Sequence, residues 1–229
     1  VIMGELTPTE VAILDQELVA TYKKKGITQD PNTQKNSPPI MEDLHQLLSV
    51  MEESEAKNLA LRLERFVKGS LAGLFNKPSS IDIQNDFMVF SLRDIEEALR
   101  PIAMHIILDF IWTRIRKDVK KRILVVDEAW NLMRYKDSAN FLFSIAKRAR
   151  KYMLGLTTIT QDTEDFLASE FGKAIVTNSS MQILLRQSPA AIEVLAKTFN
   201  LSQGERYLLL NSGIGQGLFF AGSNHVSIR

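Results

Sequence analysis

From Phe87 onward, short apolar runs alternate with helical segments, and this alternation restricts the possible fold more than any other feature of the chain. The runs are FMVFSL, ILVV, LGLTTIT, MQILLR and the two arms of GLFFAGSNHVSI. Between them, apolar spacing predicts helices over residues 93–120, 138–152, 162–174, 189–198 and 202–211. Parallel neighbours need helical crossovers, so the pattern predicts an α/β fold with a mostly parallel sheet flanked by helices. The last two runs are close enough to close as a hairpin.

Residues 1–80 have a different texture and are expected to form an all-α appendage or insertion, with residues 81–229 as the α/β core. In TPTEVAILDQELVATYKKKG, Thr7 is an expected N-cap, Pro8 the first helical residue, Glu10 the partner in a capping box and Gly26 the stop. PPIMEDLHQLLSVMEE and SEAKNLALRLERFVKG repeat the three-and-four apolar spacing. The polar stretch ITQDPNTQKNSPP between the first two helices is expected to be a mobile loop. The start, VIMGELTPTE, lacks an initiator methionine and a basic signal-like region, so it reads as the edge of a longer protein.

Composition narrows the function classes. The formal net charge of +1 gives the molecule no overall bias toward polyanions, so any nucleic-acid surface would be a local patch. Without cysteine there are no disulfides and no thiolate metal sites, which suits a reducing compartment. No apolar run approaches the ~20 residues of a membrane span. With 45% hydrophobic residues over 229 positions, the chain can bury a substantial core.

In an open α/β sheet the ligand site lies beyond the carboxyl ends of the strands. ILVV ends on Asp127 and Glu128, LGLTTIT on Gln161, and MQILLR on Arg186. Two carboxylates, a carboxamide and a guanidinium thus reach one rim, a set suited to phosphate chemistry. Asp127 at a rigid strand tip could hold Mg²⁺ through its water shell, because Mg²⁺ keeps several waters and takes few protein ligands. Glu128 could polarise an attacking water, Gln161 could contact the same water or phosphate, and an arginine could neutralise charge developing in the transition state. Taken singly, each has a plainer role as a cap, loop or solvated residue.

ILVVDEAWNLM, KRARKYMLGLTTITQDTEDFL, TNSSMQILLRQ and LLNSGIGQGLFFAG together resemble the C-terminal motor domain of the VirB-type conjugal-transfer ATPases of type IV secretion systems, in the FtsK/HerA branch of RecA-like P-loop NTPases. The resemblance spans nearly the whole chain, and the all-helical part resembles the insertion carried by that domain. It implies a RecA-like sheet, ATP and Mg²⁺ as cofactors, Asp127 as the Walker B acid and metal ligand, Glu128 as the catalytic glutamate and Gln161 as the polar sensor. It also implies self-association, with a hexameric ring among the arrangements allowed, and partners among other secretion components and a secreted protein or DNA–protein substrate. The implied location is cytoplasmic, peripheral at the inner face of the bacterial membrane. Whether nucleic acid is bound directly stays open.

The trans-acting arginine of that family has two candidates. In SANFLFSIAKRARKYM, ~100° per residue puts Phe141, Ile145, Ala149 and Tyr152 on one face and Lys147, Arg150 and Lys151 on the other, with Arg148 at the apolar margin. Arg150 is then free to reach a neighbour, and Arg186 competes for the role. Gly213, Gly215 and Gly217 could line the nucleotide base or permit a tight turn before the hairpin.

One family element is missing. The phosphate-binding loop G-x-x-x-x-G-K-[ST] does not occur; the Gly172-Lys173 pair is followed by Ala174 and has Leu167 where the first glycine belongs. The expectation is therefore an ATPase whose phosphate loop is contributed from outside these residues, and weak or absent nucleotide binding and turnover by residues 1–229 alone. Other features read as structural. The basic run Arg114 to Arg122 lies at a helix carboxyl end, where cations are favoured, and His45, His105 and His225 have no metal-ligand spacing. Trp112 and Trp130 are expected to be packing residues. Three functions follow for testing: a motor energising type IV secretion, conjugative transfer and pilus assembly; a FtsK/HerA-like DNA translocase; and a mainly structural docking subunit.

Overall fold

The computed structural model describes residues 3–78, 85–222 and 224–229, and the chain divides into two compact units, Val1–Val89 and Phe90–Arg229. In the first, α1 (Pro8–Lys24) opens with the expected capping box: Thr7 Oγ1 accepts from the Glu10 backbone, and the Glu10 carboxylate accepts from the Thr7 backbone. Gly26, at φ +73°, ends it in a conformation that glycine adopts without Cβ strain. With α2 (Met41–Val50) and α3 (Ser54–Val67), α1 closes over a core in which Leu48, Ala56 and Leu59 are fully buried. Glu10 is buried in this unit and meets Arg62 Nη2 at 3.2 Å, while Arg62 Nη1 donates to the Met3 carbonyl. The stretch expected as a mobile loop forms a 3-10 turn, Pro31–Lys35, in which Thr33 Oγ1 donates to the Asp30 carbonyl and Asn36 Nδ2 to that of Gly26. A short helix, α4 (Ala72–Phe75), follows, with Phe75 edge-on to Phe66.

FMVFSL, which spans the boundary between the units, forms no strand. Apolar content alone suggested one, but no described strand pairs with it; Phe87 and Val89 stay largely exposed and Phe90 packs on Phe110 instead. The helix expected from residue 93 begins later, as α5 (Arg100–Lys117). Pro101 accounts for the delay, since proline lacks an N–H and fits only the first helical turn. The basic run at its end is engaged locally: the Arg116 guanidinium lies over Trp112, and Arg122 pairs with Asp118.

The following elements are β1 (Arg122–Val126), α6 (Trp130–Met133), α7 (Lys136–Arg148) and, after a 3-10 turn over Ala149–Tyr152, β2 (Leu154–Thr158). β1 and β2 pair in parallel, Arg122 opposite Leu154 and Val126 opposite Thr158. The single helix expected over residues 162–174 is two, α8 (Thr163–Ala168) and α9 (Glu170–Asn178), broken at Ser169, whose backbone is extended. Then come β3 (Met181–Leu185), α10 (Ile192–Phe199), α11 (Gln203–Asn211), β4 (Gly217–Ala221) and β5 (Asn224–Ile228).

The α/β class is as the sequence predicts. Parallel pairing among the described strands is confined to β1 and β2; β3, β4 and β5 form an antiparallel sheet in that order, because β4 returns along β3 and the hairpin adds β5. Alternation assigns the faces. Leu124, Val126 and Leu156 pack with the helical cores built on Leu108, Leu142 and Ile145, while Ile123 and Val125 are exposed on the other face. The antiparallel sheet repeats this: Leu184, Leu218 and Phe220 are buried, and Met181, Ile183, Leu185 and Val226 are exposed.

Candidate active site

The site forms where β1 and β2 end together. Beyond Val126 the ladder continues by one rung, with Ile159 N donating to the Val126 carbonyl at 2.9 Å and Ala129 N donating to the Ile159 carbonyl at 2.9 Å. Ala129 is fully buried, so the turn carrying Asp127 and Glu128 is anchored to core and to β2 on both sides. Asp127 continues the alternation of Ile123 and Val125, on the uncovered face of β1, and is exposed. Its Oδ1 accepts from Glu128 N at 2.9 Å.

Glu128 has φ +49°, left-handed backbone that a residue with a Cβ seldom adopts. Its carbonyl accepts from Asn131 N at 2.9 Å and its Oε2 from Trp130 Nε1 at 2.7 Å. The side chain lines a cavity of about 490 Å³ together with Trp130, Gln161, Thr163, Ser188 and Ala191. Gln161 is therefore brought to Glu128, as the strand-end argument requires. The loop after β3 contributes Ser188 to the lining, whereas Arg186, two residues earlier, is exposed and is not among the residues that line the cavity. Asp162 caps α8 by accepting from Asp165 N at 3.0 Å, which fixes the segment following Gln161.

Arg150 is not brought to this cavity. It lies exposed in the 3-10 turn that precedes β2, at the opposite end of that strand from Gln161. The face assignment over residues 141–152 holds across α7 and the 3-10 turn that follows it, with Ile145 and Ala149 buried and Lys147 and Lys151 exposed, but Arg148 is exposed and not at a buried margin. Among the described residues neither Arg150 nor Arg186 makes an ion pair, so both guanidinium groups are available to an anion.

The glycines separate by role. Gly213 N donates to Gln216 Oε1 at 3.0 Å and Gly215 has φ +78°, so these two shape a tight, exposed turn. Gly217 lies inside β4 opposite Leu185, and a Cβ there would run into the Leu184 carbonyl. That end of β4 adjoins the carboxyl end of β3, the side on which Arg186 and Ser188 lie.

The donor set fits Mg²⁺ bound with a nucleotide. No three His, Cys, Asp or Glu among the described residues gather as a metal cage, whereas a lone exposed carboxylate at a rigid strand end is what a mostly water-ligated ion requires. Trp130 packs against the core as expected, but sequence reasoning missed that it also lines the cavity and bonds Glu128, and it missed Ser188; the two-residue spacing from Glu128 to an N–H donor was the available signal for the first, and none marked the second.

Comparison with known proteins identifies the family and the fold. Residues 40–214 match the TraG P-loop domain family. Type IV secretion system protein virB4 from Bartonella quintana (strain Toulouse) and its counterpart from Bartonella henselae are each 24% identical over 201 residues, covering 84% of this chain and 25% of theirs. The structure of VirB4 of Thermoanaerobacter pseudethanolicus superposes with a TM-score of 0.82 and 31% identity, over 98% of this chain and 64% of that one. The chain thus spans about a quarter of the length of the curated relatives it matches.

Proposed function

The chain belongs to the TraG P-loop domain family, and on that premise we propose that it is the Walker B side of an ATP-hydrolysing motor that energises type IV secretion, including conjugative transfer and pilus assembly. The observation that carries this reading is the convergence of Glu128 and Gln161 on one cavity beside the exposed Asp127. The names of the virB4 relatives support the secretion context. No helix among the described residues is long and apolar enough to cross a membrane.

In this reading Asp127 would hold Mg²⁺, which would supply charge neutralisation along the phosphates. Glu128 orients a water and accepts its proton as the water oxygen bonds to the γ-phosphorus and the bond to the bridging oxygen breaks, giving ADP and phosphate. Gln161 holds the water or a γ-phosphate oxygen by its amide. The Gly213–Gly217 turn borders the base. Arg186, in the loop that also carries Ser188, and Arg150, at the far end of β2, are candidates for charge stabilisation within a protomer and across a ring interface, respectively.

A phosphate-binding loop is required and residues 1–229 contain none. The uncovered apolar face of β1, on which Asp127 sits, supports a source: parallel sheets are covered on both faces, so a further βα layer carrying the loop would cover Ile123 and Val125 while delivering its phosphates to Asp127.

The test is Glu128→Gln in a Mg-ATPase assay of the protein that includes such a loop. Loss of a general base is expected to lower kcat by about 10²- to 10⁴-fold with little change in KM. Unchanged turnover would remove Glu128 from the chemistry; lost turnover with unchanged secretion would leave a docking role as the function.

A further inference from the structure

Oε2 of the Glu128 carboxylate is occupied and Oε1 is not. Trp130 Nε1 donates to Oε2 at 2.7 Å, and among the described residues no group donates to Oε1. The donor itself is held firmly. Its ring packs against the core containing Ala129, Leu132 and Phe166, and it lines both the Glu128 cavity and a second one of about 440 Å³ bounded by Met133, Arg134 and Phe171. On that second side the Arg134 guanidinium lies 6.0 Å from the Trp130 ring centroid and within 3.5 Å of Glu97.

A glutamate side chain has three rotatable bonds and loses considerable rotamer entropy when fixed. Glu128 also starts from left-handed backbone, in which the usual packing of its own turn does not choose the rotamer. The backbone bonds to Asp127 and Asn131 fix its peptide but leave the carboxylate free to swing. The indole N–H is the contact that ends that freedom, and a hydrogen bond to an ionised acceptor is among the stronger kinds.

We propose that Trp130 is a positioning residue: its indole N–H fixes one oxygen of Glu128 so that the other points into the cavity to accept the proton of the attacking water. This rests on the reading of Glu128 as the base. It gives the tryptophan two separable functions, packing through the ring and orientation through the N–H. The proton taken up resides on Oε1 and leaves with solvent after phosphate release, so Trp130 neither gains nor loses one.

Trp130→Phe keeps the aromatic volume and removes the donor. In the Mg-ATPase assay it is expected to lower kcat on the order of tenfold, the weight of one hydrogen bond to a charged group, while KM for ATP stays within about twofold. In the Glu128→Gln background the same substitution should cost nothing further, because the group it orients is already disabled. If Glu128→Gln abolishes turnover and Trp130→Phe leaves kcat unchanged, the positioning role fails while the base stands. If Glu128→Gln itself leaves turnover intact, the base reading fails first.

A second measurement is independent of catalysis and of how well the phenylalanine variant folds. In ¹H–¹⁵N spectra of the same loop-containing protein, Glu128→Ala should move the Trp130 indole resonance upfield as its carboxylate acceptor is lost and leave that of Trp112 in place. An unmoved Trp130 indole peak would overturn the proposal.

Discussion

The backbone of Gly217 lies against the carbonyl of Leu184 so closely that no Cβ can stand between them. This glycine therefore has a packing reason that holds with or without nucleotide. Gly217→Ala would force the two strands apart, at a cost of about 2 kcal/mol as for other overpacked positions. Urea unfolding followed by circular dichroism should show the lowered midpoint. Gly213→Ala is the control: its Cβ would meet the movable Gln216 side chain at 3.4 Å, and stability should be nearly unchanged.

Arg62 satisfies a carboxylate that the fold has taken out of water. The Glu10 side chain is 5% accessible, against 32% for Arg62. Arg62→Ala would leave that charge without its cation and would release the Met3 carbonyl as well. Because Arg62 is partly solvated, the loss should fall below the range for fully buried pairs, at about 2 kcal/mol. Chemical unfolding of the variant beside Glu10→Gln measures it; a loss no greater than that of an ordinary surface substitution would mean that water replaces the guanidinium.

Glu205 gives the chain an acid-sensitive joint. The Ser202 backbone N–H, then His225 and the Ser202 hydroxyl, hold its carboxyl below the usual glutamate range. Its His225 partner is on β5, with Nδ1 2.8 Å from Oε1, so the carboxylate ties α11 to the terminal hairpin. A carboxyl lowered by folding stabilises the native state fully above its unfolded value, and that contribution fades as pH drops toward the folded value. Stability measured from pH 7 downward should decline once pH enters the glutamate range, and Glu205→Gln should flatten that part of the curve.

Arg150 and Arg186 can be told apart by mixing. Each changed to Ala is expected to lower ATP turnover by at least tenfold if it stabilises transition-state charge. An arginine acting on a neighbour's site is rescued when its variant is co-assembled with Glu128→Gln, since one interface then has an intact arginine facing an intact base. Recovery with the Arg150 variant and none with the Arg186 variant is the expected outcome.

Much of the chain was legible because its signals are local. The capping box at Thr7, the β1 run and the hairpin each follow from residues a few positions apart. FMVFSL was misread because a strand exists only through its partner, and no apolar count supplies one. Pro101 was a local signal left unused, and it set the true start of α5. In the site, the meeting of Glu128 with Gln161 was readable from strand ends. The approach of Ser188 and the remoteness of Arg150 from the cavity depend on how loops and strands are arranged in space, which helical periodicity does not encode.

The left-handed backbone at Glu128 has a consequence for how this turn can vary. A residue with a Cβ in that conformation costs on the order of 1–3 kcal/mol, whereas glycine enters it freely and asparagine with less strain. Random substitution screened for thermal stability alone would thus be drawn to replace Glu128 with one of those two, and under the proposed base role the winners of such a screen would be inert. On that proposal, position 128 is where robustness and activity ask for different amino acids.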